Sequence, residues 1–198
     1  MRLRTILLSV LFFAAVLPGI SAIFLRVYEN TLVRQTEAEL IAQTAALSAA
    51  AEALWPGALN VASTEVQRSE PGYYRPEPAD IDLRSDPVLP PRPSVRRALG
   101  PPDQAAVVAA ARMAPIMEET SRITLASVAL LDRNGVVVRG LGRGGSWGDL
   151  PEVRTALSGA SATVLRRNDA YLPRYQMEWL SRASGLRIHH ARPVVVNG

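Results

Sequence analysis

Twenty-one consecutive residues near the N-terminus, Thr5 to Leu25, carry no charge (TILLSVLFFAAVLPGISAIFL). Wound as a helix, this run is about 31 Å long, one hydrocarbon thickness of a bilayer. Arg2 and Arg4 precede it and Arg26 follows it. A cleaved signal peptide shares the basic start and apolar middle. Here a cut after Ser21-Ala22 would put Ile20 at a position that favours small residues, and the apolar run continues through Ile23, Phe24 and Leu25. Both points favour an uncleaved transmembrane anchor over residues 1–26. By the positive-inside rule Arg2 and Arg4 stay in the cytoplasm. Residues 27–198 are then expected in the periplasm, outside a cell inner membrane. Pro18-Gly19 is tolerable in such a span and is expected as a kink.

The 198 residues suit one domain plus appendages. The chain has no cysteine, which excludes disulfides, thiol nucleophiles and Cys-ligated metals. All 22 basic residues are arginine. Two of them, Arg2 and Arg4, precede the span, and every acidic residue follows it, so the other 20 face 18 Asp plus Glu, a net of +2. That is no field for a polyanion, and nucleic acid is not an expected partner.

Val27 to Leu54 (VYENTLVRQTEAELIAQTAALSAAAEAL) contains no Gly or Pro and is rich in Ala, Leu, Glu and Gln. It predicts a long helix over 27–54 that continues the span as one rod. Val33, Leu40, Leu47 and Leu54 recur every seven residues, with Thr36, Gln43 and Ala50 at the second seam position. This stripe is expected to pack on the domain and to add a homodimer seam; the polar second position argues against a self-sufficient coiled coil. Residues 55–102 read as an irregular insertion. Pro71 to Pro102 holds nine prolines, which excludes a regular helix or central strand and suggests an extended, surface-lying segment. Its Pro90-Pro91-Arg92-Pro93 run reads as plain loop or as a docking motif.

From Asp103 the pattern tightens into an α+β unit over 103–198. Residues 103–122 predict a helix, broken or restarted at Pro115. Asn134-Gly135, between VALLDR and VVVRG, predicts a tight hairpin. A Gly-rich loop (GLGRGGSWGD) follows. Asp149-Leu150-Pro151-Glu152 reads as a capping box with proline in the first turn of a short helix that ends at Gly159. SATVLRR and LRIHHARPVVV read as strands, the second running over 186–196. The closing Asn197-Gly198 is another turn signal, so one further strand is expected and the chain reads as a fragment.

Gly140, Gly142 and Gly145 spell GxGxxG, but the next helix opens near Leu150 and no acid stands about 20 residues on, so a dinucleotide site is not expected. The glycines read as a tight turn over a pocket mouth. His189 and His190 are adjacent in a strand, point to opposite faces and cannot share a metal. One is expected inward and hydrogen-bonded. No nucleophile elbow, Walker loop or HExxH helix is present. One of Arg166 and Arg167, together with Arg192, can grip a carboxylate or phosphate near the Gly-rich loop; the alternative is surface arginines. Trp147, Tyr171, Tyr175 and Trp179 either line that ligand cavity or anchor the loops.

The pieces YENTLVRQTEAELIAQ, ALLDRNGVVVRG, DLPEVRTALSGASATVLRR and LSRASGLRIHHARPVVVNG resemble the extracytoplasmic sensor domain of bacterial sensor histidine kinases, of the PAS-like Cache class. The resemblance covers residues 26–54 and 123–198 and omits the Pro-rich middle. It implies a fold in which the N-terminal helix continues into a long helix packed on a PAS-like antiparallel sheet, here with its last strand missing. It implies a stimulus-sensing role, an unknown small ligand, and a parent with a second span, a phosphoacceptor helix and an ATP- and Mg-dependent kinase core that phosphorylates a response regulator. None of those parts is in this sequence, so no cofactor and no catalysis are expected of it. Neither His189 nor His190 has a phosphoacceptor context. The same sensor architecture also feeds chemoreceptors and diguanylate cyclases, and a membrane-anchored binding or scaffold protein is a further alternative.

Overall fold

In a computed structural model, residues 3–58, 76–176, 178 and 181–196 are described. Helix α1, Leu3–Leu54, runs unbroken for 52 residues. It continues through Pro18, and at 1.5 Å per residue it is about 78 Å long. No part of the described chain covers its apolar first half: Leu8, Phe12, Phe13 and Phe24 are all about two-thirds exposed. The helix is long and apolar enough to cross a membrane. It stops at Trp55-Pro56-Gly57, where Gly57 takes a positive φ of 80° and the Arg112 guanidinium donates to the Leu54 carbonyl at 2.9 Å.

The second half of α1 packs on a mixed α+β unit. Helix α2 spans Gln104–Thr124, and the Asp103 carboxylate caps it by accepting from the Ala105 and Ala106 amides. Pro115 neither breaks nor restarts α2. The proline lies on the exposed face, and so does Ala111, whose carbonyl lacks its helical donor because Pro115 has no N–H, at a solvent-exposed position where this costs little. Helix α3 is Pro151–Leu157. Its first turn departs from the expected capping box: Leu150 is the N-cap without a side-chain bond, Asp149 pairs with Arg96, and Glu152 turns into the domain.

Seven short strands form three small sheets, not one central antiparallel sheet. Strands β1 (Val88–Leu89), β6 (Ala162–Arg167) and β7 (Leu186–Ala191) lie in the order β1-β6-β7, with β1 parallel to β6 and β6 antiparallel to β7. Strands β2 (Arg96–Arg97) and β5 (Gly145–Ser146) pair antiparallel, as do β3 (Leu130–Leu131) and β4 (Val137–Arg139). The Asn134-Gly135 hairpin joins β3 to β4 but is wider than a two-residue turn. The buried Asp132 carboxylate organises it by accepting from the amides of Asn134, Val136 and Asp103. Gly135 has φ +74° and Gly148 lies where its Cβ would be, at 2.4 Å, so only glycine fits.

Strand β7 ends at Ala191, five residues before the strand expected from the apolar run. Pro193 has no N–H to donate, and the residues beyond it lie against α1. There the Val195 amide donates to Glu52 at 3.0 Å and Val194 joins the cluster of Ala51, Met113 and Met117. Asn197 and Gly198 lie outside the described residues.

The Pro-rich segment also differs from the expected surface-lying insertion. Over 76–102 it is irregular, apart from two two-residue strands, yet it is built into the fold. Ile81 is buried with Val33 and Leu165, and Val95 packs beside Trp147 and Leu150. The Pro90 and Pro93 carbonyls accept from Arg166 and Trp147. A proline-rich chain leaves many carbonyls without strand partners, and here side chains of the sheet and loops supply the donors.

Candidate functional site

The face of α1 turned to the domain is Glu29, Val33, Glu37, Ser48 and Ala51, spaced three or four residues apart where they neighbour, and more polar than the expected apolar stripe. Its two glutamates and neighbouring polar side chains hold loop backbone, while Ser48 donates to the Ala45 carbonyl of its own helix. Glu37 accepts from the Ile81 amide at 2.9 Å, while Arg34 donates to the Ile81 carbonyl at 3.0 Å. Asn30 accepts from the Leu83 amide, Glu29 from the Arg182 amide and Glu52 from the Val195 amide. The apolar members Leu47, Ala50 and Leu54 meet Met113 and Met117 further up. Five side chains of one helix thus hydrogen-bond backbone in three separate loops.

The six residues expected to form a ligand site line neither of the two cavities described below. Arg166 is buried in a two-point pair with Glu152, at 3.2 and 2.9 Å, and also donates to the Pro90 carbonyl. Arg167 is next along β6, on the opposite face, and exposed. Arg192 follows β7 and pairs with Glu77 at 2.5 Å. Trp147 donates from its indole to the Pro93 carbonyl at 3.3 Å, and the Arg92 guanidinium sits 4.0 Å from its ring centre. The Tyr171 hydroxyl donates to Glu178, which raises the phenol and lowers the carboxyl relative to their ordinary values. Tyr175 is three-quarters exposed. Trp179 lies outside the described residues.

The two histidines do face opposite ways. His190 is fully buried at its side chain, 2.9 Å from the Thr163 hydroxyl through Nδ1 and 3.6 Å from Glu77 through Nε2. The order hydroxyl, imidazole, carboxylate matches that of a catalytic triad. Neither of the two cavities described below is lined by Thr163, the imidazole is closed off from solvent, and its Nε2 at 3.6 Å does not hydrogen-bond Glu77, which is held instead by Arg192. His189 lies on the other face. Burial first, and then the Arg92 charge, push it down to about 4, so it is neutral at physiological pH. Burial and Arg187 also lower Arg92. Among the described residues, no group of three His, Asp or Glu is placed to hold a metal.

Two cavities are lined by residues with chemistry. An open groove of about 580 Å³ lies between the last turns of α2 and the Gly-rich loop, with Arg122, Arg139 and Arg143 beside Met117, Val128 and Gly140. Arg139 pairs with Glu118, and Arg122 with Glu119 at 2.6 Å. Both carboxylates are more than half exposed, so an incoming anion can replace either. The Gly-rich loop does reach a pocket rim here, as expected. The second cavity, about 300 Å³, lies where α1 enters the domain, among Arg26, Glu29, Asn30, Leu83, Arg84 and Arg182. Sequence patterning singled out neither set; in the smaller cavity the arginines that converge are up to 156 residues apart in the chain.

Compared with known proteins, the chain matches no family, no curated protein and no solved structure.

Proposed function

We propose that this chain is the stimulus-sensing region of a membrane-bound sensor, a Cache/PAS-like periplasmic domain that passes a ligand signal along α1 to a histidine kinase output. The observation that carries the reading is the continuity of α1. One helix includes both the apolar run and the five polar side chains that fix domain backbone. Any rearrangement of those loops is transmitted to the helix as a shift or rotation, the kind of two-state element signalling needs.

The stimulus enters the 580 Å³ groove as a small organic anion. Arg166, by contrast, already has its guanidinium filled by the buried Glu152 carboxylate and the Pro90 carbonyl. Met117 and Val128 line the groove and also pack around Ala51 of α1, so occupancy bears directly on the helix. A chemoreceptor or cyclase output would use the same device.

The topology test exploits the lack of cysteine. Leu99→Cys, at a wholly exposed position, should react with a membrane-impermeant maleimide in cells whose outer membrane is permeabilised. Labelling only after the inner membrane is opened would overturn the periplasmic placement. Thermal unfolding of the detergent-solubilised chain should rise with some member of a panel of di- and tricarboxylates, and Arg139→Gln with Arg143→Gln should abolish the rise. The reading frame beyond residue 198 should encode a second apolar span and a kinase core; a different output there would select the chemoreceptor or cyclase reading.

A further inference from the structure

The cavity at the foot of the domain contains an unresolved polar demand. The Glu29 side chain is 5% exposed. Its Oε1 accepts from the Arg182 amide at 3.1 Å, but Oε2 is buried and has no hydrogen-bond partner. The nearest cation, Arg26 Nη1, is 3.6 Å away, beyond hydrogen-bond range, and is itself buried without a partner. A buried acceptor and a buried donor left unfilled side by side are uncommon, since each forfeits its hydration. Both line the same 300 Å³ space, together with Arg84 and Arg182, whose residues are exposed at its rim.

The position of this space narrows what fills it. Arg26 is the first charged residue after the uncharged run, so if that run spans a bilayer, the cavity opens at headgroup depth. Three guanidinium groups suit a phosphate, to which arginine offers paired N–H donors. The open Glu29 oxygen requires an N–H or O–H donor, and its negative charge favours a cationic one.

We propose that the cavity binds one phospholipid headgroup of the phosphoethanolamine type, with the phosphate among Arg26, Arg84 and Arg182 and the primary ammonium donating to Glu29. The bound lipid fixes α1 at a set depth relative to the domain. It also supplies the donor and the acceptor that Glu29 and Arg26 lack. A choline headgroup has the phosphate but no N–H, so the site discriminates between the two. This proposal rests on the reading of Thr5–Leu25 as a membrane span.

The test uses the full chain in nanodiscs of phosphatidylcholine containing a minority of phosphatidylethanolamine, with native mass spectrometry after release from the disc. One phosphatidylethanolamine should be retained per chain, in excess over its share of the bilayer. The double variant Arg84→Gln/Arg182→Gln should lower that retention about tenfold, as expected for lost charge-assisted hydrogen bonds. Glu29→Gln keeps an acceptor for the Arg182 amide and should retain either lipid without preference. Free phosphoethanolamine, added in millimolar excess to the detergent-solubilised chain, should compete only weakly. Four results would overturn the proposal: equal retention of both lipids by the native chain, retention indifferent to the arginine pair, tighter binding of the free solute than of the lipid, or failure of the chain to enter discs. The last would sink the membrane reading as well, and disc incorporation tells it apart from the other three.

Discussion

Glu152 on α3 and Arg166 on β6 meet through two hydrogen bonds, and each side chain is only 4% exposed. The pair ties α3 to the sheet and, through the Pro90 carbonyl, ties the Pro-rich segment to both. Removing one partner leaves a buried charge unmatched, which costs about 3–5 kcal/mol. Glu152→Ala and Arg166→Leu should each lower the urea midpoint strongly, as followed by tryptophan fluorescence. The double variant Glu152→Leu/Arg166→Leu should recover much of the loss, because no stranded charge remains. A double variant as unstable as the sum of the singles would show that the two side chains act independently.

Ile81 provides the matching test for the Pro-rich segment. It is 5% exposed and sits between Val33 of α1 and Leu165 of β6. Ile81→Ala should cost about 2–5 kcal/mol, the range for emptying a core position of that size. Leu99→Ser, in the same segment but wholly exposed, should leave the midpoint unchanged. Replacing residues 78–100 by a Gly/Ser linker of equal length should abolish cooperative unfolding. A linker variant that still unfolds in one sharp step would return the segment to the status of a loop.

That contrast shows where the sequence was legible. The apolar run, the Gly-free helix over 27–54, the Asn134-Gly135 turn and the strand SATVLRR all carry local signals, and the structure has an element at each. Of the expected stripe of Val33, Leu40, Leu47 and Leu54, all but Leu40 join the core clusters of the domain. What stayed hidden depends on tertiary pairing. Nothing local distinguishes Glu152 as a capping residue from Glu152 as the partner of Arg166, 14 positions on. Likewise, proline density reports that a segment cannot form a ladder, not that its carbonyls are taken by Arg166 and Trp147. The arginines around the two cavities follow no local pattern: those of the smaller cavity come from α1 and two distant loops, and those of the groove from a helix end, a strand and the Gly-rich loop.

His189 makes stability depend on pH in a predictable direction. Its folded value lies near 4 against an ordinary 6.5, so between those values the unfolded chain binds more protons than the folded one. Stability is therefore full above about pH 6.5, falls as pH drops towards 4, and gains no further loss from this group below that. Glu152 alone opposes the shift; Arg92, Arg166 and Arg187 reinforce it. His190, lowered mainly by burial, adds to the slope in the same sense. Thermal midpoints measured from pH 7.5 to 4.5 should decline, and His189→Gln should flatten the decline. An unchanged slope in that variant would mean that other groups set it.

The outward face of α1 offers the test of dimerisation. Val33, Leu47 and Leu54 are taken up by the domain, so a partner helix has to use the opposite stripe. Leu32, Glu39, Ala46 and Ala53, with Gln35, Ala42 and Ala49 between them, are exposed and alternate at three- and four-residue spacing. Alanine lets two helices approach closely but buries little apolar area, so this seam is too weak to hold free domains together. Anchoring in a membrane confines two helices to one plane and raises their effective concentration, which compensates for a weak contact. In native membranes Ala46→Cys should therefore form a covalent dimer under mild oxidation, and Ala42→Cys and Ala49→Cys should follow the same period. Leu47→Cys, turned into the domain, should stay monomeric. In detergent at low protein concentration the Ala46→Cys dimer should fall away. Equal cross-linking at 46 and 47, or none at any of these positions, would rule out this face as the seam.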